Sequence, residues 1–202
     1  MSIRVDAYTA GGIVSGTVEG AEHLRTQIEH APELTVIDAS WASLGGVDPR
    51  TGSIATIPID DLLIAVADED PSTAVHASFH PISLVVGPYL IAGDLPTLPG
   101  FDPGRALTRP SGEFVLLRDV RLDLADGSND TAVQCPYAFV NRYSVERVTA
   151  DLMLGFFFPG AVMDGLPDPE PVPAPAAPTA TPPTSATDVP AVAQEAPEAA
   201  PA

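Results

Sequence analysis

GGIVSGTVEG, residues 11–20, decides the fold because a close version of it recurs 77 positions later as PYLIAGDLPT, residues 88–97. The match extends without a gap from residues 3–18 onto residues 80–95. LTVIDASW (34–41) then matches VLLRDVRL (115–122) at an offset of 81, and TIPIDDLL (56–63) matches FVNRYSVE (139–146) at an offset of 83. Matches in the same order with a slowly growing offset indicate a duplicated unit with small loop insertions. Chance similarity between short apolar strands is the alternative.

Each copy is predicted to be mostly β-structure. Residues 3–9 and 12–19 form a hairpin around Gly11-Gly12, whose glycines allow the positive φ angles of a tight turn. The spacing of Leu24 and Ile28 predicts a helix over 21–30, which Pro32 ends. Further strands are predicted at the following ranges: 34–43, 53–59 and 62–67 in the first copy, and 120–124, 132–140 and 143–150 in the second. Asp102-Pro103 predicts a short helix to about residue 108.

The predicted fold class is therefore mainly β, with two β-β-α-β-β-β units. A unit of this size forms a small bent sheet or a partly open barrel. Because such small units are only marginally stable alone, we expect the two to pack against each other pseudo-symmetrically.

The composition changes sharply after Met163. Residues 164–202 hold 11 of the 23 prolines, six acids and no aromatic residue or arginine. A segment of this kind buries too little apolar area to offset its ordering entropy, so a disordered, Pro/Ala-rich acidic tail is predicted. The predicted domains are 1–75, 76–163 and this tail.

Net charge and cysteine content exclude several classes of partner. The chain carries a net charge of −18, with nine arginines and no lysine, so it repels nucleic acid and anionic lipid surfaces. No basic leader and no apolar run of spanning length is present, which predicts a cytoplasmic protein without membrane insertion. The single cysteine, Cys135, excludes an internal disulfide and a thiolate-rich zinc site.

VDAYTAGGIVSGTVEG (5–20), a following amphipathic helix and LTVIDASW (34–41) together resemble a family of small bacterial β-rich domains of unknown function. The resemblance covers mainly 5–66 and, more weakly, 82–148. It implies a strand, a glycine-centred strand, a helix and a strand that ends in aspartate. The chain departs from that pattern at the helix, where EHLRTQIEH lacks the family's Asp-Leu-Leu-Asn ending. The resemblance implies no activity and no ligand.

Candidate chemical groups have simpler interpretations. His23 and His30 lack a third metal ligand, and His76 and His80 lie in a predicted linker. Asp60-Asp61 and Asp68–Asp70 lack the alternating oxygen spacing of a calcium loop, so we interpret them as solvated turns. No nucleophile elbow or phosphate-binding glycine loop occurs. We therefore predict no catalytic residue, no cofactor and no metal.

The apolar segment LMLGFFFPGAVM, residues 152–163, is interpreted as a last core strand or, alternatively, as a docking segment that covers a sheet edge or a neighbouring subunit. The duplication, this segment and the tail predict a non-catalytic interaction or assembly protein that binds a protein partner or forms a homo-oligomer. The predicted interaction residues are Arg118, Arg121, Arg142, Phe156, Phe157 and Phe158. The alternative is a sensor or enzyme with a small-molecule pocket between the two copies, in which the three arginines bind a carboxylate.

Overall fold

The computed structural model describes residues 2–20, 23–44, 49–68, 78–100, 112–127, 132–154 and 156–164. All of them lie in one compact unit. The elements, in chain order, are β1 (Ser2–Thr9), β2 (Gly12–Glu19), α1 (Leu24–His30), β3 (Glu33–Ser43), β4 (Arg50–Thr51), β5 (Ile54–Pro58), a 3-10 helix (Ile59–Asp61), β6 (Ile64–Ala67), β7 (Ser78–Val86), β8 (Tyr89–Thr97), β9 (Phe114–Leu124), β10 (Val133–Asn141), β11 (Val145–Ala150) and β12 (Val162–Asp164).

These twelve strands form one open sheet, which confirms the prediction of a mainly β fold. The strand order is β12-β11-β7-β8-β9-β10-β6-β1-β2-β3-β4, and β5 pairs with β3 beside this path. The sequence predicts a separate small sheet for each copy. The structure instead has a continuous sheet, because the last strand of the first half (residues 2–68) pairs with a strand of the second half (residues 78–164).

The two halves have the same internal strand order. It is β6-β1-β2-β3-β5 in the first half and β11-β7-β8-β9-β10 in the second. The registers also correspond at the offsets found in the sequence, since Val5 pairs with Gly16 and Ile82 pairs with Gly93. Each half therefore makes the same hairpin contact at the same position.

The halves meet where β6 pairs with β10 in antiparallel orientation. Ala65 lies opposite Phe139, and Ile64 lies opposite Val140. The Asn141 amide adds a hydrogen bond of 2.9 Å to the Leu63 carbonyl. We call this contact the internal junction. Because β6 and β10 hold different places in the strand orders of their halves, the internal junction is a head-to-tail contact.

Each half contributes side chains to the other half's core. Tyr8 and Ile64 of the first half pack in the core that the second half builds. Phe114 and Phe139 of the second half pack in the core of the first. Both cores therefore depend on the internal junction, and removal of one half exposes apolar surface on the other.

The helix and strand predictions differ from the structure in their bounds. Helix α1 begins at Leu24, and Leu24 and Ile28 are its buried residues, as their spacing predicts. Strand β9 begins at Phe114 rather than residue 120, because consecutive buried residues at its start hide the alternation of a half-exposed strand. The predicted helix at 102–108 lies outside the described residues, as does the tail from 165 onward.

Candidate functional site

A groove of about 780 Å³ lies beside β5 in the first half. Its walls come from the β1–β2 turn (residues 9–14), from β3 and β4 (41–43 and 50–52), and from residues 56–58 together with Asp61. We call it the β5 groove. Every wall belongs to the first half, whereas the alternative prediction places a pocket between the two copies.

The floor of the β5 groove is shaped by glycines and an aromatic ring. Gly12 has a φ of 149°, and a Cβ there would lie 2.2 Å from the Ala42 carbonyl oxygen, so only glycine fits. A Cβ at Gly52 would lie 3.0 Å from the Trp41 ring. The backbone at Gly52 therefore packs directly against the Trp41 indole, and both residues line the groove.

The outer edge of β5 presents backbone N–H groups that point away from β3. The Ile59 amide donates to the Pro32 carbonyl beside β3 over 3.0 Å. Because antiparallel residues alternate between bonded and non-bonded pairs, the N–H groups of Ile54 and Thr56 point away from β3. Within the described ranges, β5 pairs with no strand on that side. The edge can therefore accept a further strand.

The corresponding edge in the second half is already filled. Strand β10 is the counterpart of β5, and β6 lies against it at the internal junction. At an offset of 83, Thr56 corresponds to Phe139, and Pro58 corresponds to Asn141. The same structural position is thus occupied in one half and open in the other.

Two tyrosines fasten the halves beside the internal junction. Tyr89, which corresponds to Gly12, donates its hydroxyl to the Thr9 carbonyl over 2.9 Å. Its ring packs edge-on against Tyr8, with ring centroids 5.4 Å apart. Burial raises the pKa of the Tyr89 phenol to about 12. Burial, and secondarily the Asp6 charge, also raises the pKa of Tyr8 well above its usual range.

The other end of the sheet is covered by β12. This strand runs parallel to β11, with Val162 opposite Arg147 and Met163 opposite Val148. An exposed ion pair of 3.2 Å joins the Arg147 guanidinium to the Asp164 carboxylate. Strand β12 therefore covers the outer edge of β11. Among the described strands, none covers the outer edge of β5 at the other end of the sheet.

The apolar segment 152–163 contains both core and surface residues. Leu154, Phe157 and Phe158 are buried in the core of the second half. Phe156 is 49% exposed, and Met153 and Val162 are also exposed. The predicted triplet Phe156–Phe158 is thus divided between one surface ring and two core rings.

The three predicted arginines have different surroundings. Arg118 lies over the rings of Phe79 and Tyr137, at 4.9 and 5.5 Å from their centroids. Arg121 is exposed and pairs with Asp123 at 2.9 Å.

Arg142 is buried and donates to the backbone carbonyls of Gly112 and Phe156. Its guanidinium joins the residues before β9 to the turn at Phe156.

No group of three or more metal-binding side chains occurs in the part of the chain that the structure describes. His30 contacts the Thr26 carbonyl at 3.1 Å, and His80 contacts the Thr97 hydroxyl at 3.1 Å. Burial, together with Asp6, raises the pKa of the Cys135 thiol to about 11, which keeps it protonated and unreactive near neutral pH. Of the described helices, none has the length and apolar character needed to cross a bilayer.

Comparison with protein-family models, curated proteins and solved structures finds no match to this chain. The residues that define the open edge are therefore assigned from geometry alone. Sequence reasoning missed Thr56, Pro58 and Arg147. The sequence signal for this edge lies in the match of residues 56–63 with residues 139–146, where Pro58 aligns with Asn141.

Proposed function

We propose that this protein is a non-catalytic assembly protein whose β5 groove accepts a strand from a second copy of the chain. The two halves, on this proposal, are duplicated copies that already use this contact once inside the chain. The observation that carries the proposal is the internal junction, because its acceptor strand β10 has an open counterpart in β5.

The equivalence of the two acceptor edges supports the choice of a second copy as partner. Strand β10 receives β6 by antiparallel addition, and β5 has the same register against its own neighbour, with Leu34 opposite Ile57 and Val115 opposite Val140. A head-to-tail contact of this kind leaves one acceptor and one donor at the ends of each chain. Repetition between chains then builds a ring or an open filament.

The contact at β5 is weaker than the internal junction. Thr56 can exchange hydrogen bonds with an added strand as Phe139 does, but Pro58 has no amide hydrogen to replace the bond that Asn141 makes to Leu63. One missing backbone hydrogen bond costs about 1 kcal/mol. We therefore expect reversible association, in keeping with the use of proline to blunt sheet edges.

Sedimentation and light scattering over a range of protein concentrations test this function. Thr56→Pro removes an outward-facing donor without breaking a bond to β3, so it should weaken association about tenfold while the protein stays folded. Thr56→Val is the matched control, because it changes the side chain and keeps the N–H. Pro58→Ala restores a donor and should tighten association about fivefold. A strictly monomeric protein, or equal association in all variants, contradicts the proposal.

A small molecule in the same groove is the second candidate function. The volume of about 780 Å³ and the exposed part of the Trp41 ring suit a flat apolar ligand. A thermal-shift screen of aromatic metabolites tests it, with Trp41→Leu as the variant. Stabilisation that depends on Trp41 and does not change with Thr56→Pro would favour a ligand over strand addition.

A further inference from the structure

We propose that the strand donated to the β5 groove is β11 of a second copy, and that β12 is an intramolecular cap that must leave β11 first. This inference rests on the proposed function and names its donor and its regulation. It follows from three relationships: the equivalence of β11 with β6, the placement of β12, and the charges at the two ends.

Strand β11 is the structural counterpart of the donor strand β6. Ile64 lies opposite Tyr8 in β1, and Arg147 lies opposite Val85 in β7. Tyr8 and Val85 are themselves 77 positions apart, the offset of the first sequence match. The same geometry pairs Ala65 with Ala7 and Val148 with Leu84. β11 thus holds in the second half the place from which β6 reaches into the internal junction.

Strand β12 covers the part of β11 that a donor strand would use. At the internal junction, Ile64 and Ala65 of β6 are the residues that pair with β10. Their counterparts, Arg147 and Val148, are the residues that pair with β12. The cap and an acceptor strand from another copy therefore compete for the same edge.

The cap is weakly held. It is only three residues long, and parallel pairing is somewhat less stable per residue than antiparallel pairing. The Arg147–Asp164 pair is exposed, and a pair of this kind contributes little to stability. Phe158, 1% exposed, anchors the chain before the cap, and Gly160 follows with a φ of 89°. Release of β12 thus requires movement only after Phe158, and it uncovers the core only where Ala161 and Met163 pack against it.

Charge permits the exchange of β12 for a β5 groove. Arg147 takes the place of Ile64, so in the groove it would lie opposite Ile57, the counterpart of Val140. Asp61 and Ile57 are both among the residues that line the groove. Arg147 therefore leaves one carboxylate, Asp164, and meets another. The contact should be sensitive to salt, because exposed charges are screened.

A disulfide lock in the full-length chain tests the cap. Thr149 and Asp164 are directly opposite in the β11–β12 register, so Thr149→Cys with Asp164→Cys can form a disulfide that holds the cap. Cys135 stays in place because it is buried and unreactive. The oxidised variant should lose at least about tenfold in self-association relative to its reduced form, as measured by sedimentation. Equal association in both redox states overturns the role of β12.

Charge exchange tests the identity of the donor. Asp61→Arg alone places like charges at the contact and should weaken association, and adding Arg147→Glu in the same chain should restore it to within about threefold of the parent. The single Arg147→Glu variant also removes the ion pair with Asp164 and so loosens the cap. Its association is therefore interpreted together with the result of the disulfide variant. Failure of the double variant to recover overturns β11 as donor.

These outcomes separate the two levels of the proposal. If Thr56→Pro weakens association while the lock and the charge exchange have no effect, the β5 groove accepts a different strand and only this inference is wrong. If Thr56→Pro has no effect, the proposed function itself is wrong.

Discussion

Asp38 and Asp119 adopt the same left-handed backbone conformation, with φ angles of 50° and 48°, at corresponding positions of β3 and β9. Among the described residues they are the only non-glycine residues with positive φ. Each lies beside a register shift: one between Ser15 and Thr17 in β2, and one between Ala92 and Asp94 in β8. Aspartate tolerates this conformation better than most residues, so each half bends its sheet by the same device.

Substitution at Asp38 or Asp119 should reveal the energetic cost of their positive φ angles. Glycine has no Cβ penalty at positive φ, so Asp119→Gly should keep or raise the free energy of unfolding, by up to about 1 kcal/mol. Asp119→Val should lower it by about 1–3 kcal/mol, because a β-branched residue is a genuine outlier in this region. Urea unfolding of both variants, repeated at Asp38, measures the difference. A valine variant as stable as the glycine variant would contradict it.

The glycines opposite these bends should be intolerant of any side chain. A Cβ on Gly16 would lie 2.5 Å from the Ile37 carbonyl oxygen, and one on Gly93 would lie 2.9 Å from the Arg118 carbonyl oxygen. Both contacts are to backbone, which cannot rotate away. Gly16→Ala should therefore destabilise by more than about 2 kcal/mol, and by more than Gly93→Ala. Gly11→Ala is the matched control, since Gly11 also lacks positive φ and a Cβ there would meet no atom closer than 4.0 Å.

The spacing between matched segments in the sequence records which strands of the two halves correspond. The offsets of 77, 81 and 83 are the offsets at which the registers of the two halves correspond, and the match of Asp38 with Asp119 joins two residues of the same unusual φ. Alternation predicts the strands that have one solvated face. It fails for the start of β9, where buried residues follow one another.

The candidate site was harder to predict because it depends on which edges stay unpaired. Residues 56–63 and 139–146 match as sequences, yet among the described strands β10 has a partner on its outer side and β5 has none. The difference is local but includes a change of charge: a proline in place of Asn141, and the exposed Arg147 in place of the fully buried Ile64. Arg142 is predicted as an interaction residue, and the structure shows it buried, with hydrogen bonds to two loop carbonyls that compensate its burial.

Truncation to alanine should lower stability much more at Phe158 than at Phe156. Phe158→Ala leaves a cavity in the second core and should cost about 3–5 kcal/mol of unfolding free energy. Phe156→Ala removes a half-exposed ring and should change stability by less than about 1 kcal/mol. Thermal and urea unfolding of the two variants compare them directly. Equal losses would mean that Phe156 is packed more fully than its exposure indicates.

Alkaline pH should destabilise the protein through the buried tyrosines. The Tyr89 phenol has its pKa raised by burial to about 12, so the unfolded chain loses this proton first as the pH rises above about 10. The stabilisation that the buried Tyr89 phenol contributes is therefore fully present below pH 10 and is lost as the pH rises to about 12. It amounts to on the order of 2–3 kcal/mol. Tyr8 and Cys135 add to the loss, since their pKa values are also raised.

Tyr89→Phe tests this dependence. The variant loses the hydrogen bond to the Thr9 carbonyl, which should cost about 1 kcal/mol near neutral pH. It also loses a titrating group, so its further loss of stability between pH 8 and pH 11 should be smaller than that of the parent protein. Urea unfolding at the two pH values gives both quantities, and Tyr143→Phe, at an exposed ring, is the matched control. The same pH-dependent loss in parent and Tyr89→Phe would show that Tyr89 is accessible to water, and that the contact between the halves is looser than its 2.9 Å hydrogen bond implies.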